Sequence, residues 1–165
     1  MIERQSPYLK HQHRLADVVA AIQVMGSYRY SGRTVKAWSK IMGEKPVSAS
    51  NWLEVFEQHP EFFRADVGKT GNQSLVLRRA QSRTYDTRSG SLITMQQFFN
   101  LPAAQRKHIS RLPLTSEQIV SLIDVAVKLH TQAIARRKEL RWWVAMIIGL
   151  LSSFTGAFVA SLIQA

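Results

Sequence analysis

"FRADVGKTGNQSLVLRR" occupies residues 63–79, and its reading decides what the segments before it become. "FRADV" and "SLVLRR" are short β-prone runs, and "GKTGNQ" between them is rich in turn formers, so the stretch reads as a β-hairpin. Gly68, Lys69 and Thr70 imitate the end of a phosphate-binding loop. The full motif needs a glycine five residues before Gly68, where Phe63 stands, so that function is rejected.

Upstream of the hairpin, apolar spacing predicts three helices. Leu15, Val18, Val19, Ile22 and Met25 line one face of a first helix, with Gly26 as its stop. Val35, Trp38, Ile41 and Met42 line a second that ends at Gly43. "SNWLEVFEQHPEFF" gives a third, burying Trp52, Leu53, Phe56, Phe62 and Phe63. Three helices and a terminal hairpin resemble a winged-helix domain over residues 11–80, with residues 1–10 a flexible N-terminus.

That resemblance implies either DNA binding or protein interaction. A DNA-reading winged helix places its third helix in the major groove. Here the outward positions of that helix are Ser50, Asn51, Glu54, Glu57 and Gln58, and two glutamates would be repelled by phosphates. The candidate contacts for an anionic partner are instead Arg33, Lys36 and Lys40 on the second helix and Lys69, Arg78 and Arg79 on the wing. These could touch a nucleic-acid backbone without reading bases. A protein-binding or self-associating head is therefore the preferred expectation, and DNA reading the alternative.

The 165-residue chain has a net charge of +11 and no cysteine. The charge points to anionic partners, and the missing thiols exclude a cysteine nucleophile and sulfur metal ligands. Up to Pro113 there are 17 Lys plus Arg against 8 Asp plus Glu, and the remainder holds 5 against 3, so both parts are basic. "MIERQSPYLKHQHRL" has no apolar run, so no cleavable signal peptide is expected. His11 and His13 lack the acidic or sulfur companions of a metal site. No paired catalytic carboxylates, nucleophile elbow or dinucleotide loop occurs. Neither an enzyme nor a cofactor is expected.

Residues 81–113 read as a basic connector with short helices that packs against the head. Thr94 with Gln97 forms a capping pair ahead of Phe98 and Phe99, and Pro102 opens a further turn. Arg83, Arg88, Arg106, Lys107 and Arg111 are a candidate patch for anionic lipid or nucleic acid, a solvated face being the alternative.

Residues 114–141 read as an amphipathic juxtamembrane helix capped by Thr115 and Gln118. Its stripe of Ile119, Leu122, Ala126, Leu129 and Ala133 would pack on the head or pair with another copy. From Trp142 to Ala165 no charged residue occurs. A hydrocarbon core needs roughly 20 apolar residues, so a single C-terminal transmembrane helix is expected over residues 142–165. Arg136, Arg137, Lys138 and Arg141 would hold the head in the cytoplasm, with Trp142 and Trp143 at headgroup level. Gly149, Ser153, Ala157 and Ser161, with the adjacent row of Ser152, Gly156 and Ala160, would support self-association of the spans.

The assembled expectation is a mainly α, tail-anchored membrane protein, lodged in the inner membrane if bacterial. Its winged-helix-like head would bind a partner protein or another copy and couple that to an oligomerising span. A membrane-disrupting effector of bacterial defence or toxin systems has a similar layout. The alternative is a membrane-anchored DNA-binding transcriptional regulator.

Overall fold

The computed structural model describes residues 6–43, 45–66 and 71–163. The side chains of residues 140, 141, 143–145 and 147–163 lie outside that description. The elements run α1 (Pro7–Lys10), α2 (Arg14–Ser27), β1 (Gly32–Arg33), α3 (Val35–Met42), α4 (Trp52–Gln58), β2 (Phe63–Ala65), β3 (Gln73–Leu75), α5 (Val76–Arg79), β4 (Arg83–Asp86), α6 (Met95–Asn100), α7 (Ala103–Arg106), β5 (Ile109–Arg111) and α8 (Ser116–Ile163). Among the described residues the helices are joined by two small sheets, which corrects the expected mainly α class to mixed α/β.

The first sheet has the antiparallel order β1-β3-β2. Phe63 pairs with Leu75 and Ala65 with Gln73, and Gly32 adds a short third strand opposite Ser74. The β-prone run "SLVLRR" is only half strand: it turns helical at Val76 and carries Arg78 inward as α5. The second sheet pairs β4 with β5 inside the segment expected to be a helical connector.

The head helices bury most of the stripe that each sequence presents, with Val19 and Leu53 only partly buried and α4 ending at Gln58, so that Phe62 and Phe63 lie beyond the third helix and not in it. Val18, Ile22 and Met25 of α2, Trp38 of α3, and Trp52, Val55 and Phe56 of α4 meet Phe62, Phe63 and Leu75 in one core. The Trp38 indole donates to the Gln73 carbonyl at 2.9 Å, fixing α3 to the sheet. Thr34 and Asn51 cap α3 and α4 with side chains that accept from the Ala37 and Glu54 N–H groups.

The start of α8 belongs to this core. Ala126 is buried, and Ile119, Leu122, Ile123 and Leu129 pack against the cluster, so the amphipathic stripe lies on the chain's own head. The Thr115–Gln118 capping pair forms as expected. Gly26 is not a stop: α2 continues to Ser27, and the glycine lies against α8, with Ile119 in contact range. Tyr8 of α1, in the part expected to be flexible, is buried in the same core.

The membrane reading is corrected. Among the described residues no helix is long and apolar enough to cross a membrane. The described side chains of α8 include Glu117, Asp124, Lys128, Arg136, Arg137, Lys138 and Glu139, and its apolar stripe is already covered by α2 and α1. The tail-anchored topology, the transmembrane helix and the single-pass localisation with a cytoplasmic head are accordingly not supported. Arg141, Trp143, Gly149, Ser152, Ser153, Gly156, Ala157, Ala160 and Ser161, on which the orientation and self-association expectations rested, have side chains outside the described residues. Arg136, Arg137, Lys138 and Trp142 are exposed.

Candidate functional site

Two buried arginines set the frame on which the surfaces are built. Arg78, with no exposure, is a hub of carbonyl contacts. Its Nη1 donates to Met25 O at 2.9 Å, Tyr28 O at 2.6 Å and Tyr30 O at 3.3 Å, its Nη2 to Arg111 O at 2.7 Å, and its Nε to Leu112 O at 3.2 Å. One guanidinium thus joins the end of α2, the turn after it and the exit of β5. Burial, and then the neighbouring Arg111 charge, lower its pKa to about 10.

Arg14 is the second. Its Nη2 donates to Ser48 O at 3.2 Å and lies 3.7 Å from Glu54. Burial lowers its pKa, opposed by the Glu54 and Asp17 charges. Asp17 accepts from the Val47 N–H at 3.1 Å, the Ser48 N–H at 2.7 Å and the Ser48 hydroxyl. This carboxylate holds the α3–α4 loop in place.

Three surfaces result. The first is the outward face of α4, with Asn51 and Glu57 exposed and Glu54 half-buried. Hydrogen bonds from the Ser50 N–H and hydroxyl hold the Glu54 carboxyl below its usual range, so it stays ionised, with the Arg14 guanidinium 3.7 Å away and Glu57 exposed beside it.

The second is basic and aromatic. Arg33 lies 5.3 Å from the ring centres of both Tyr28 and Tyr30 and donates to the Tyr28 hydroxyl at 3.0 Å, while Arg29 lies 5.5 Å from the Tyr30 ring. Of the expected anion contacts, Lys36 and Lys40 are exposed on α3, one helical turn apart. Arg79 is engaged with Asp66 at 3.2 Å and with the Ala65 carbonyl. Arg78 is enclosed and cannot meet a partner, and Lys69 lies outside the described residues.

The third is the lobe formed by β4, β5, α6 and α7. It docks on the head through Arg78, which donates to the Arg111 and Leu112 carbonyls, and through the Ser31 N–H donating to Ser110 Oγ at 2.9 Å. The Thr94–Gln97 capping box starts α6 as expected. Arg83 and Arg106 stand 5.7 Å and 5.9 Å from the Phe98 ring centre. Phe99 and Leu92, each 63% exposed, and Met95, 43% exposed, face solvent.

Sequence reasoning missed the Tyr28, Arg29 and Tyr30 cluster, whose signal was the alternation of aromatic and basic residues in "SYRYSGR". It also missed the apolar face of α6, whose signal was the pair Phe98–Phe99 directly behind a capping box. Among the described residues no group of three or more His, Asp or Glu could hold a metal ion. Comparison with protein-family models, curated proteins and solved structures finds no match.

Proposed function

We propose that the chain is a binding protein without catalytic chemistry of its own, whose winged-helix-like head engages a partner protein or a second copy. The order helix–strand–helix–helix–strand–strand of α2, β1, α3, α4, β2 and β3, with sheet order β1-β3-β2, supports the winged-helix reading. The observation that carries the functional reading is the acidic outward face of α4. Glu54 and Glu57 stand where a DNA-reading winged helix presents groups to base edges, and a carboxylate there meets the field of the phosphates.

A second reading, a DNA-binding regulator, is favoured by the Tyr28, Arg29, Tyr30 and Arg33 cluster beside Lys36 and Lys40, together with the net charge of +11. Selection of bound sequences from a random duplex pool separates the two. The protein-binding reading expects no enriched motif and a weak affinity that falls steeply with salt, as for phosphate contacts alone. An enriched motif that is lost in Asn51→Ala would establish the regulator instead.

A further inference from the structure

The lobe of residues 81–113 combines exposed apolar side chains with unneutralised positive charge. From the reading of the chain as a binding protein, on which this rests, we infer that the exposed face of α6 is a docking surface for an acidic, amphipathic polypeptide segment of a partner. Met95 and Phe99 are one helical turn apart on α6 and therefore share a face, and Leu92 leads into that helix. Phe98, by contrast, is the aromatic residue of α6 that lies near Arg83 and Arg106. Aromatic residues, Met and Arg are the types enriched where proteins meet.

Charge selects the partner. The lobe holds Arg83, Arg88, Arg106, Lys107 and Arg111 against Asp86 alone, and Asp86 is paired with Arg88 at 3.6 Å. The other guanidinium contacts are to carbonyls, which leave the charge in place. Arg83 donates to Ile109 O at 2.9 Å, and Arg106 to Leu101 O at 2.8 Å and Phe99 O at 2.7 Å. Arg83 and Arg106 stand beside α6 at Phe98, and Arg106 reaches the Phe99 carbonyl, so positive charge borders the apolar face and fits a segment with carboxylates flanking spaced apolar residues. Aliphatic Leu92 and Met95 match apolar side chains better than the stacked bases of a nucleic acid, which favour aromatic platforms.

Display selection of random short peptides on the full-length chain tests this, followed by affinity measurements on Phe99→Gln and on the double variant Arg88→Glu, Lys107→Glu. All three positions are exposed, and the one pair broken is the surface pair of Arg88 with Asp86, so thermal unfolding should stay close to that of the parent chain. The expected result is enrichment of peptides with net negative charge and apolar residues three or four apart. Each should bind about tenfold or more weakly to both variants, a loss of roughly 1.4 kcal/mol or more. No enrichment, enrichment without acidic bias, or displacement by a single-stranded oligonucleotide that shows the same dependence on Phe99 overturns the inference. Peptides that bind undiminished to both variants but are lost in Glu57→Lys also overturn it, while leaving the binding-protein reading intact; a duplex motif would sink that reading by itself.

Discussion

A β-carbon at Gly26 would stand 2.9 Å from Cγ1 of Ile119, and the Gly26 carbonyl accepts from the Leu114 N–H at 2.9 Å. The close approach of α2 to α8 therefore favours a residue without a side chain in the last turn of α2. Gly26→Val should lower stability by about 1–3 kcal/mol through overpacking. In Gly26→Ala, up to about 1 kcal/mol of improved helix propensity offsets a smaller clash. Urea unfolding checks the order parent, Ala, Val. A Val variant as stable as the parent would mean that α8 is not seated on α2.

Arg78 is the most connected side chain in the head, and its contacts are all carbonyl oxygens. Arg78→Met would fill much of the space but leave the buried Met25 acceptor and the part-buried acceptors at Tyr28, Tyr30, Arg111 and Leu112 without this donor, at about 1–3 kcal/mol for each that stays buried and unsatisfied. A loss of about 3 kcal/mol or more is expected. Arg78→Lys should recover little, because three donors on one nitrogen cannot span the acceptors that a planar guanidinium reaches. Denaturant titration of both variants decides the point.

What was legible in the sequence follows from what each signal depends on. The stripes of α2, α3 and α4 and the capping pairs Thr94–Gln97 and Thr115–Gln118 are local patterns, and they stand in the fold where they were expected. The β4–β5 sheet was illegible because its strands are only four and three residues long. It exists through pairing between Arg83 and Arg111, far apart in the chain. Arg78 read as a surface wing residue because α5 cannot be told from a continuing strand in "SLVLRR". The α6 face was missed because an exposed Phe99 and a buried one carry the same sequence signal. The membrane expectation came from a composition run after Trp142, and the described residues give it no spanning helix.

Asp17 braces the loop before α4, which links the position of the acidic α4 face to one buried carboxylate. Asp17→Ala would remove the acceptor for the Val47 and Ser48 N–H groups and leave Arg14 with Glu54 as its nearest opposite charge. A loss of about 3 kcal/mol is expected. Ser48→Ala, which removes only the hydroxyl donor, should cost about 1 kcal/mol. Hydrogen exchange should show both losses concentrated in residues 45–51, and equal protection there in the Asp17 variant would exclude the bracing role.

Tyr8 reports the seating of α1. Its ring lies 4.5 Å from that of His59 and 5.8 Å from that of His130, so one side chain touches the end of α4 and α8 together. Burial, and then the Glu61 carboxylate, push its hydroxyl well above the usual tyrosine range. In the folded chain the hydroxyl therefore keeps its proton at pH values where the unfolded chain has lost it. The stability that it contributes is complete below an unfolded pKa of about 10 and declines as pH rises above that value toward the folded pKa. Other groups titrate in the same window, so the quantity to measure is the stability of the parent minus that of Tyr8→Phe. That difference should be flat from neutral pH to about pH 9 and fall beyond about pH 10. A difference that stays level across the whole range would mean that Tyr8 is solvated and α1 is not seated between α4 and α8.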